Sequence, residues 1–324
     1  MNFIEKLAGM SVINVIIVST VLIVIRLLLK GTENPFLKQV AEFCESLAFA
    51  FLLVFLIIRP FFIQSFFIPS ASMRPTLLEK DHLIANKFIY FFKDPKFKDI
   101  VIFKAPKEAT KNDPRVKPYD EPNNKMQRFW DVVSNGDTRL DFIKRVIGEP
   151  GDEIRITAGY IRVPKSVEYP AGIIPHMDIS RRLKVLADHG KDGYVKIKED
   201  GIYLDNKKID EKILKEALFI PKNEKIILHP GTVYRNEEKL DEPFIAEDPG
   251  MPYPMNFQIS DNPNWIIKKN GEYWAKIPKG KYLVMGDNRN DSSDARFWGF
   301  LDRKSIKGKA LFVFFPFNRI KIIK

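Results

Sequence analysis

The chain has 324 residues, 45% of them apolar, and its 52 Lys and Arg outnumber 41 Asp and Glu for a formal charge of +11. That composition supports a sizeable core and excludes a disordered polyelectrolyte. A lone Cys44 cannot form an internal disulfide, and the four histidines form no cluster at zinc-ligand spacing, so neither a metal nor another cofactor is expected.

Ala8 to Ile25 runs for 18 residues without a charge, and Leu27–Leu29 extends the stretch past Arg26. This predicts a membrane span over about 8–29. A cleaved signal peptide would have a shorter apolar core and then a small-residue cleavage site; Arg26 and LLLKGTENP follow instead, which predicts a retained anchor. Leu47–Ile58 is a second, twelve-residue apolar stretch; Val40–Ser46 can add two turns and Arg59 can snorkel, giving a span over about 42–63. Phe61, Phe62, Phe66 and Phe67 around Pro60 suit a chain leaving the bilayer along its surface. Arg26, Lys30 and Lys38 lie between the spans against Lys6 before them, which places the connecting loop in the cytoplasm and the long C-terminal portion outside. Residues 1–65 therefore read as the anchor, with the lipid bilayer as a partner.

Beyond residue 65 the long apolar runs give way to short ones broken by Gly, Pro, Asn and Asp. His82–Tyr90, Ile100–Phe103, Phe142–Ile147, Glu153–Thr157, Tyr194–Ile197 and Ile202–Leu204 read as strands, as do Trp265–Lys268, Tyr273–Ile277, Tyr282–Met285 and Ala310–Phe314. Asn270-Gly271 between two of them is a hairpin signal. The fold class is mainly β on two N-terminal transmembrane helices, with a catalytic core from 66–157 and 276–324. Residues 105–140, rich in Lys, Asp, Asn and Pro, form a long loop, and 158–275 an inserted subdomain with a helix around Ile209–Leu218. The basic surplus is scattered through Lys-Asp and Lys-Glu mixtures, which gives a solvated surface and no nucleic-acid partner.

Three segments carry polar groups suited to chemistry. Ser70-Ala71-Ser72 lies between Pro69 and Pro75 just after the membrane exit, in a rigid turn that by itself is ordinary punctuation. A serine nucleophile needs a base, and His82, His176, His189 and His229 have no recognisable Asp partner. Lysine is the other option, provided burial lowers its pKa toward about 7–8. Lys144, within Phe142-Ile143-Lys144-Arg145-Val146-Ile147, shares a strand face with Phe142 and Val146, opposite Arg145. Periodicity leaves open whether that face turns inward. The third segment, Gly286 to Gly299, is dense in Asp, Asn and Arg; it lacks EF-hand spacing, and its arginines among acids point to ion pairs that lock a loop.

Together these segments resemble bacterial type I signal peptidase, or leader peptidase, a family of Ser-Lys membrane proteases. The resemblance rests on PSASMRPTL (Pro69–Leu77), KDIVIF (Lys98–Phe103), FIKRVIGEPGD (Phe142–Asp152) and GDNRNDSSDARFWGF (Gly286–Phe300), in family order behind two membrane segments. It implies a serine endopeptidase on the extracytoplasmic side of the bacterial cytoplasmic membrane, removing signal peptides from secretory preproteins after Ala-x-Ala-like sites. By the same resemblance Ser72 is the nucleophile, Lys144 the general base, Ser70 part of the oxyanion hole and Ser292 the residue that orients the lysine. Asp294 and Arg296 match a supporting ion pair, and Ile68, Pro69, Met73, Phe142 and Ile143 fall where the family lines its substrate pockets. Lys98 replaces a usual Gly and Glu149 a usual apolar residue, neither of them catalytic. Gly201–Lys208 resembles a family hairpin, which would put most of the insertion before it. A silent scaffold on the same fold, a self-cleaving repressor and a pilus-processing peptidase are the alternatives; intact Ser72, Lys144, Ser70 and Ser292 disfavour the first, and the membrane segments the second.

Overall fold

The structure, a computed structural model, describes residues 12–58, 62–111, 140–163, 172–186, 193–255 and 263–323. Two apolar helices come first. Helix α1 (Val12–Leu28) is followed by α2 (Pro35–Leu52), which continues as a π-helical turn over Leu53–Ile58. Asn34 and Pro35 set the start of α2: the Asn34 carboxamide accepts the Phe36 N–H at 2.9 Å, and Pro at the first helical position needs no donor partner. The continuous helix Pro35–Ile58 is 24 residues, long and apolar enough to cross a membrane. It begins before the predicted span, because the cap lies ahead of the apolar window. It also ends sooner, since Ile63 already pairs with Asn86 in a sheet. Arg26 and Glu45 join the two helices in an ion pair at 2.7 Å, which neutralises a carboxylate within the second apolar segment. Arg59, Pro60, Phe61 and most of the predicted 105–140 loop lie outside the described residues.

The remainder is β-rich. Strands β1 (Ile63–Phe67) and β2 (His82–Asn86) precede the short helix α3 (Ile89–Phe92), β3 (Ile100–Lys104), the short helix α4 (Lys107–Thr110) and β4 (Asp141–Gly148). Next come β5 (Glu153–Thr157), β6 (Tyr160–Arg162), β7 (Ile173–Pro175), helix α5 (His176–Leu186), β8 (Val195–Lys198), β9 (Gly201–Leu204), β10 (Lys207–Lys208) and helix α6 (Glu211–Ala217). Strands β11 (Ile227–His229), β12 (Thr232–Arg235), β13 (Glu238–Lys239), β14 (Ile266–Lys269), β15 (Glu272–Lys276) and β16 (Lys281–Met285) lead to helix α7 (Ala295–Trp298). The described chain closes with β17 (Leu301–Asp302), β18 (Ile306–Phe315) and β19 (Lys321–Ile322).

The main sheet has the order β1-β2-β18-β3-β4-β16-β17, with β19 on β18. One face packs against the sheet β13-β12-β5-β15-β14, burying Val101, Phe103, Val146 and Val284 against Ile154, Ile156, Val233 and Ala275. A separate apolar cluster of the main sheet gathers Ile68, Leu77, Leu83, Ile100, Ile102 and Val313. Alternation along β2 and β5 accounts for the inward residues, as expected of half-buried strands. The predicted hairpin at Asn270-Gly271 is present between β14 and β15, with φ of 50° and 80°, the left-handed pair that such a turn requires. At the base of the long loop, Ala105 N–H donates to Leu140 O at 2.9 Å, so β3 and β4 pair however long the connection is.

A third, wholly aliphatic core lies elsewhere. Ile161, Ile174, Ile179, Leu183, Val195, Ile197, Ile202, Leu204, Leu214 and Leu218 pack together from two three-stranded sheets and helices α5 and α6. The predicted helix near Ile209–Leu218 is α6, capped by Asp210, whose side chain accepts the Lys212 N–H at 2.8 Å. Helix α5 was not legible as one; it buries His176, Ile179, Ser180 and Leu183 on a single stripe.

Candidate active site

The sheet order explains why distant segments converge. Strand β4 pairs with β16, Arg145 opposite Met285, so the loop that starts at Gly286 emerges beside Lys144. Strands β1 and β2 form a hairpin around a loop bridged at its base by Ile68 N–H to Asp81 O and Lys80 N–H to Ile68 O, both at 2.9 Å. At its tip, Ala71–Met73 make a single 3-10 turn that buries Ser72 and Met73. The Gly286 loop then holds that turn. Asn288 N–H donates to Ser72 O at 3.1 Å, and Asn288 Nδ2 to Ala71 O at 3.3 Å. A Cβ at Gly286 would fall 2.4 Å from Ser72 O and 2.3 Å from Ser292 Oγ, so only glycine allows this approach.

Lys144 Nζ lies 2.8 Å from Ser72 Oγ and 3.0 Å from Ile143 O. Its side chain passes the Phe142 ring, with Nζ 5.6 Å from the centroid, so the face shared with Phe142 is the inward one. Burial drives the Lys144 pKa down; Asp294 and Asp287 oppose that shift and Arg296 assists it, leaving it at about 8. An amine with such a pKa is neutral in a usable fraction near neutral pH and can accept a proton. Ser70 Oγ stands 3.4 Å from Ser72 Oγ.

Arg145 points away from Lys144, yet it is buried too. It makes a bidentate pair with Asp287, at 2.8 and 2.7 Å, and its guanidinium stacks 4.0 Å from the Phe244 ring centroid. Thr76 donates to the same carboxylate. Asp294 and Arg296 form the expected pair, at 2.8 and 2.9 Å, and Asp294 also accepts the Gly286 N–H at 3.0 Å. Burial alone would raise the Asp294 pKa; the Arg296 charge and the hydrogen bonds outweigh it and hold the carboxyl below the usual range. Ser292 Oγ is buried beside Gly286 and Asp294 and makes no hydrogen bond to Lys144 among the described residues. Ile68 and Met73 are buried in the core, Pro69 is exposed, and Phe142 and Ile143 are half-buried beside the pair.

Sequence reasoning missed three contributors. Asp287 and Asn288 stood in a quoted motif without a role, though Asp-Asn after a strand end is a signal for a polar turn. Glu242 pairs with the buried Arg289 at 2.8 and 2.6 Å from outside the loop. Nothing local marks Glu242, because its partner is 47 residues away.

The family model described as signal peptidase, peptidase S26, matches residues 40–170 and 221–315. The chain belongs to this family. Both matched stretches contain the converging segments, and residues 171–220 fall between them. The signal peptidase I of Aquifex aeolicus is 30% identical over 86% of this chain and 84% of its own length. Signal peptidase IB of Staphylococcus aureus strain COL is 28% identical over 88% of this chain and 94% of its own. A solved signal peptidase I from Enterococcus faecalis V583 aligns at 16% identity over 67% of this chain and 97% of that one, with a TM-score of 0.20. The unmatched stretch includes α5, β8, β9, β10 and α6, and with them the Gly201–Lys208 hairpin. The β12–β13 hairpin lies within the match.

Proposed function

We propose that this chain is a membrane-bound serine endopeptidase that removes signal peptides from exported preproteins after small residues, with Ser72 as nucleophile and Lys144 as general base. The observation that carries this reading is the 2.8 Å contact between a buried lysine amine and a serine hydroxyl. When Lys144 is neutral, it takes the Ser72 proton as Oγ attacks the scissile carbonyl, and it then protonates the leaving amine. Water hydrolyses the acyl-enzyme by the reverse use of the same pair. Ser70 Oγ and the Ser72 N–H donate to the oxyanion, and Ser292, buried beside Gly286 and Asp294, matches the family's lysine-orienting serine. Asp294 and Arg296 hold the loop beneath. Of the pocket positions that the resemblance implies, Pro69, Phe142 and Ile143 are accessible and shape shallow pockets for small side chains, while Ile68 and Met73 are buried in the core.

The anchor holds this site at the bilayer, with the catalytic portion on the extracytoplasmic face of the bacterial cytoplasmic membrane, where a cleavage site would emerge. Residues 171–220 are taken as the insertion, shorter than the expected 158–275; the pairing of β12, β14 and β15 into one sheet with β5 supports the smaller bounds.

The test is cleavage of a preprotein with an Ala-x-Ala site, in detergent, by wild type, Ser72→Ala and Lys144→Met. Both variants should lose at least about 10³-fold in kcat/KM. The wild-type rate should climb with pH and level off above about 8, as Lys144 loses its proton. Full activity in either variant would overturn the assignment.

A further inference from the structure

Glu247 stands where the insertion meets the catalytic loop, and its two carboxylate oxygens face different ways. Oε1 accepts from the insertion: the Val195 N–H at 2.8 Å, Ser180 Oγ at 3.3 Å and Lys184 Nζ at 2.9 Å. Oε2 accepts from the catalytic loop, from Asn290 Nδ2 at 2.9 Å. Asp248 repeats the arrangement. Its side chain takes the N–H groups of Ile197 at 2.9 Å and Gly231 at 2.8 Å and lies 3.2 Å from His176 Nε2, while its backbone carbonyl accepts Asn290 Nδ2 at 3.1 Å. Asn290 Oδ1 in turn accepts the Gly250 N–H at 2.8 Å, which fixes the sense of the amide. Two residues before Asn290, Asn288 holds the turn that carries Ser72.

Burying two carboxylates is unfavourable unless every oxygen is bonded. The insertion does not need them to fold, because its aliphatic core supplies the hydrophobic driving force. What the carboxylates add is direction: rigid, partner-specific bonds that run from β8 and α5 to the loop under the nucleophile. A misplacement of about 1 Å between reacting groups can cost on the order of 10²-fold in rate, so such a tie matters to a site built on one 2.8 Å contact.

We propose that Glu247 and Asn290 are positioning residues, through which the insertion fixes the Gly286 loop and so holds Ser72 against Lys144. The proposal rests on the peptidase reading above. It predicts that the insertion is a working part of the active-site scaffold.

The experiment uses the full chain in detergent and the same preprotein, with kcat, KM and melting temperature measured for four proteins: wild type, Glu247→Gln, Asn290→Ala, and the two substitutions combined. Gln at 247 that keeps its oxygen on the insertion turns an NH2 toward the Asn290 NH2, donor against donor. Each single variant should lose about tenfold in kcat with KM changed less than about twofold, since neither residue touches substrate. The combined variant should lose no more than about threefold beyond the worse single one, because both substitutions break the same tie, whereas two unrelated structural defects would multiply. Unchanged kcat in both single variants overturns the proposal, and so do losses in the combined variant that multiply. Should Glu247→Gln melt below the assay temperature, Asn290→Ala decides by its kcat, because it removes only a loop side chain. An inert wild type brings down the peptidase reading itself, whereas an active wild type with unaffected variants sinks this inference alone.

Discussion

The two-sheet region that carries Ser72 and Lys144 and the proposed insertion solve the same folding problem with different materials. The proposed insertion packs Ile, Val and Leu from strands and two helices, and keeps its charges at the surface or at its seam with the Gly286 loop. The two-sheet region buries Lys144, Arg145, Asp287, Arg289, Asp294 and Arg296 alongside its apolar residues. Hydrophobic burial is non-directional and sets compactness, whereas a bidentate ion pair sets a distance and an angle. The difference teaches where each is needed. The insertion must be stable; the site must also be aimed.

Breaking one partner of a buried pair should therefore be the most damaging change to stability. Arg145→Met leaves Asp287 buried and unpaired, and should cost about 3–5 kcal/mol. Thermal melting would show it; a shift no larger than that of a surface Lys→Met would erase the contrast between the two regions. In the insertion, Leu183→Ala removes a fully aliphatic contact and should cost about 2–5 kcal/mol through the cavity it leaves. Hydrogen exchange should place that loss within residues 161–220, with protection of β3, β4 and β16 kept. Loss of protection in all of them at once would mean that the regions unfold as one unit.

A smaller effect has the opposite sign. The folded-state pKa of Lys144 is about 8 against about 10.4 for an unfolded lysine. Between those values the unfolded chain binds more protons than the folded one, so this group's contribution to stability rises with pH from about 8 to 10.4. Below pH 8 the folded protein carries a buried ammonium at a cost. Lys144→Met should then stabilise the protein at pH 7 by about 1–3 kcal/mol while abolishing activity, and the gain should vanish as the pH approaches 10. A variant less stable than wild type at pH 7 would mean that the bond to Ser72 outweighs the burial. At the membrane end, Asn34→Ala removes a cap and should cost about 1 kcal/mol, read as fraying of the first turn of α2 and as no change in cleavage.

The sequence by itself determined a good deal. Apolar run length announced the two N-terminal helices, short branched and aromatic runs between turn residues much of the main sheet, and Asn270-Gly271 a hairpin, because each is a local preference of the backbone. The motif resemblance singled out Ser72, Lys144 and the Gly286 loop, and the proposed chemistry of a serine with a lysine follows from it. Tertiary structure alone decided which way Lys144 faces, since the inward side of a strand depends on what packs over it. Only the neighbouring of β4 and β16 brings the loop to the serine, and that register joins residues 140 positions apart. Glu242, Glu247 and His176 read as ordinary polar residues, and became part of the site's frame through partners that no local window contains. Local physics writes elements and residue types into the chain; long-range pairing, which costs entropy until the sheet closes, decides which of them meet.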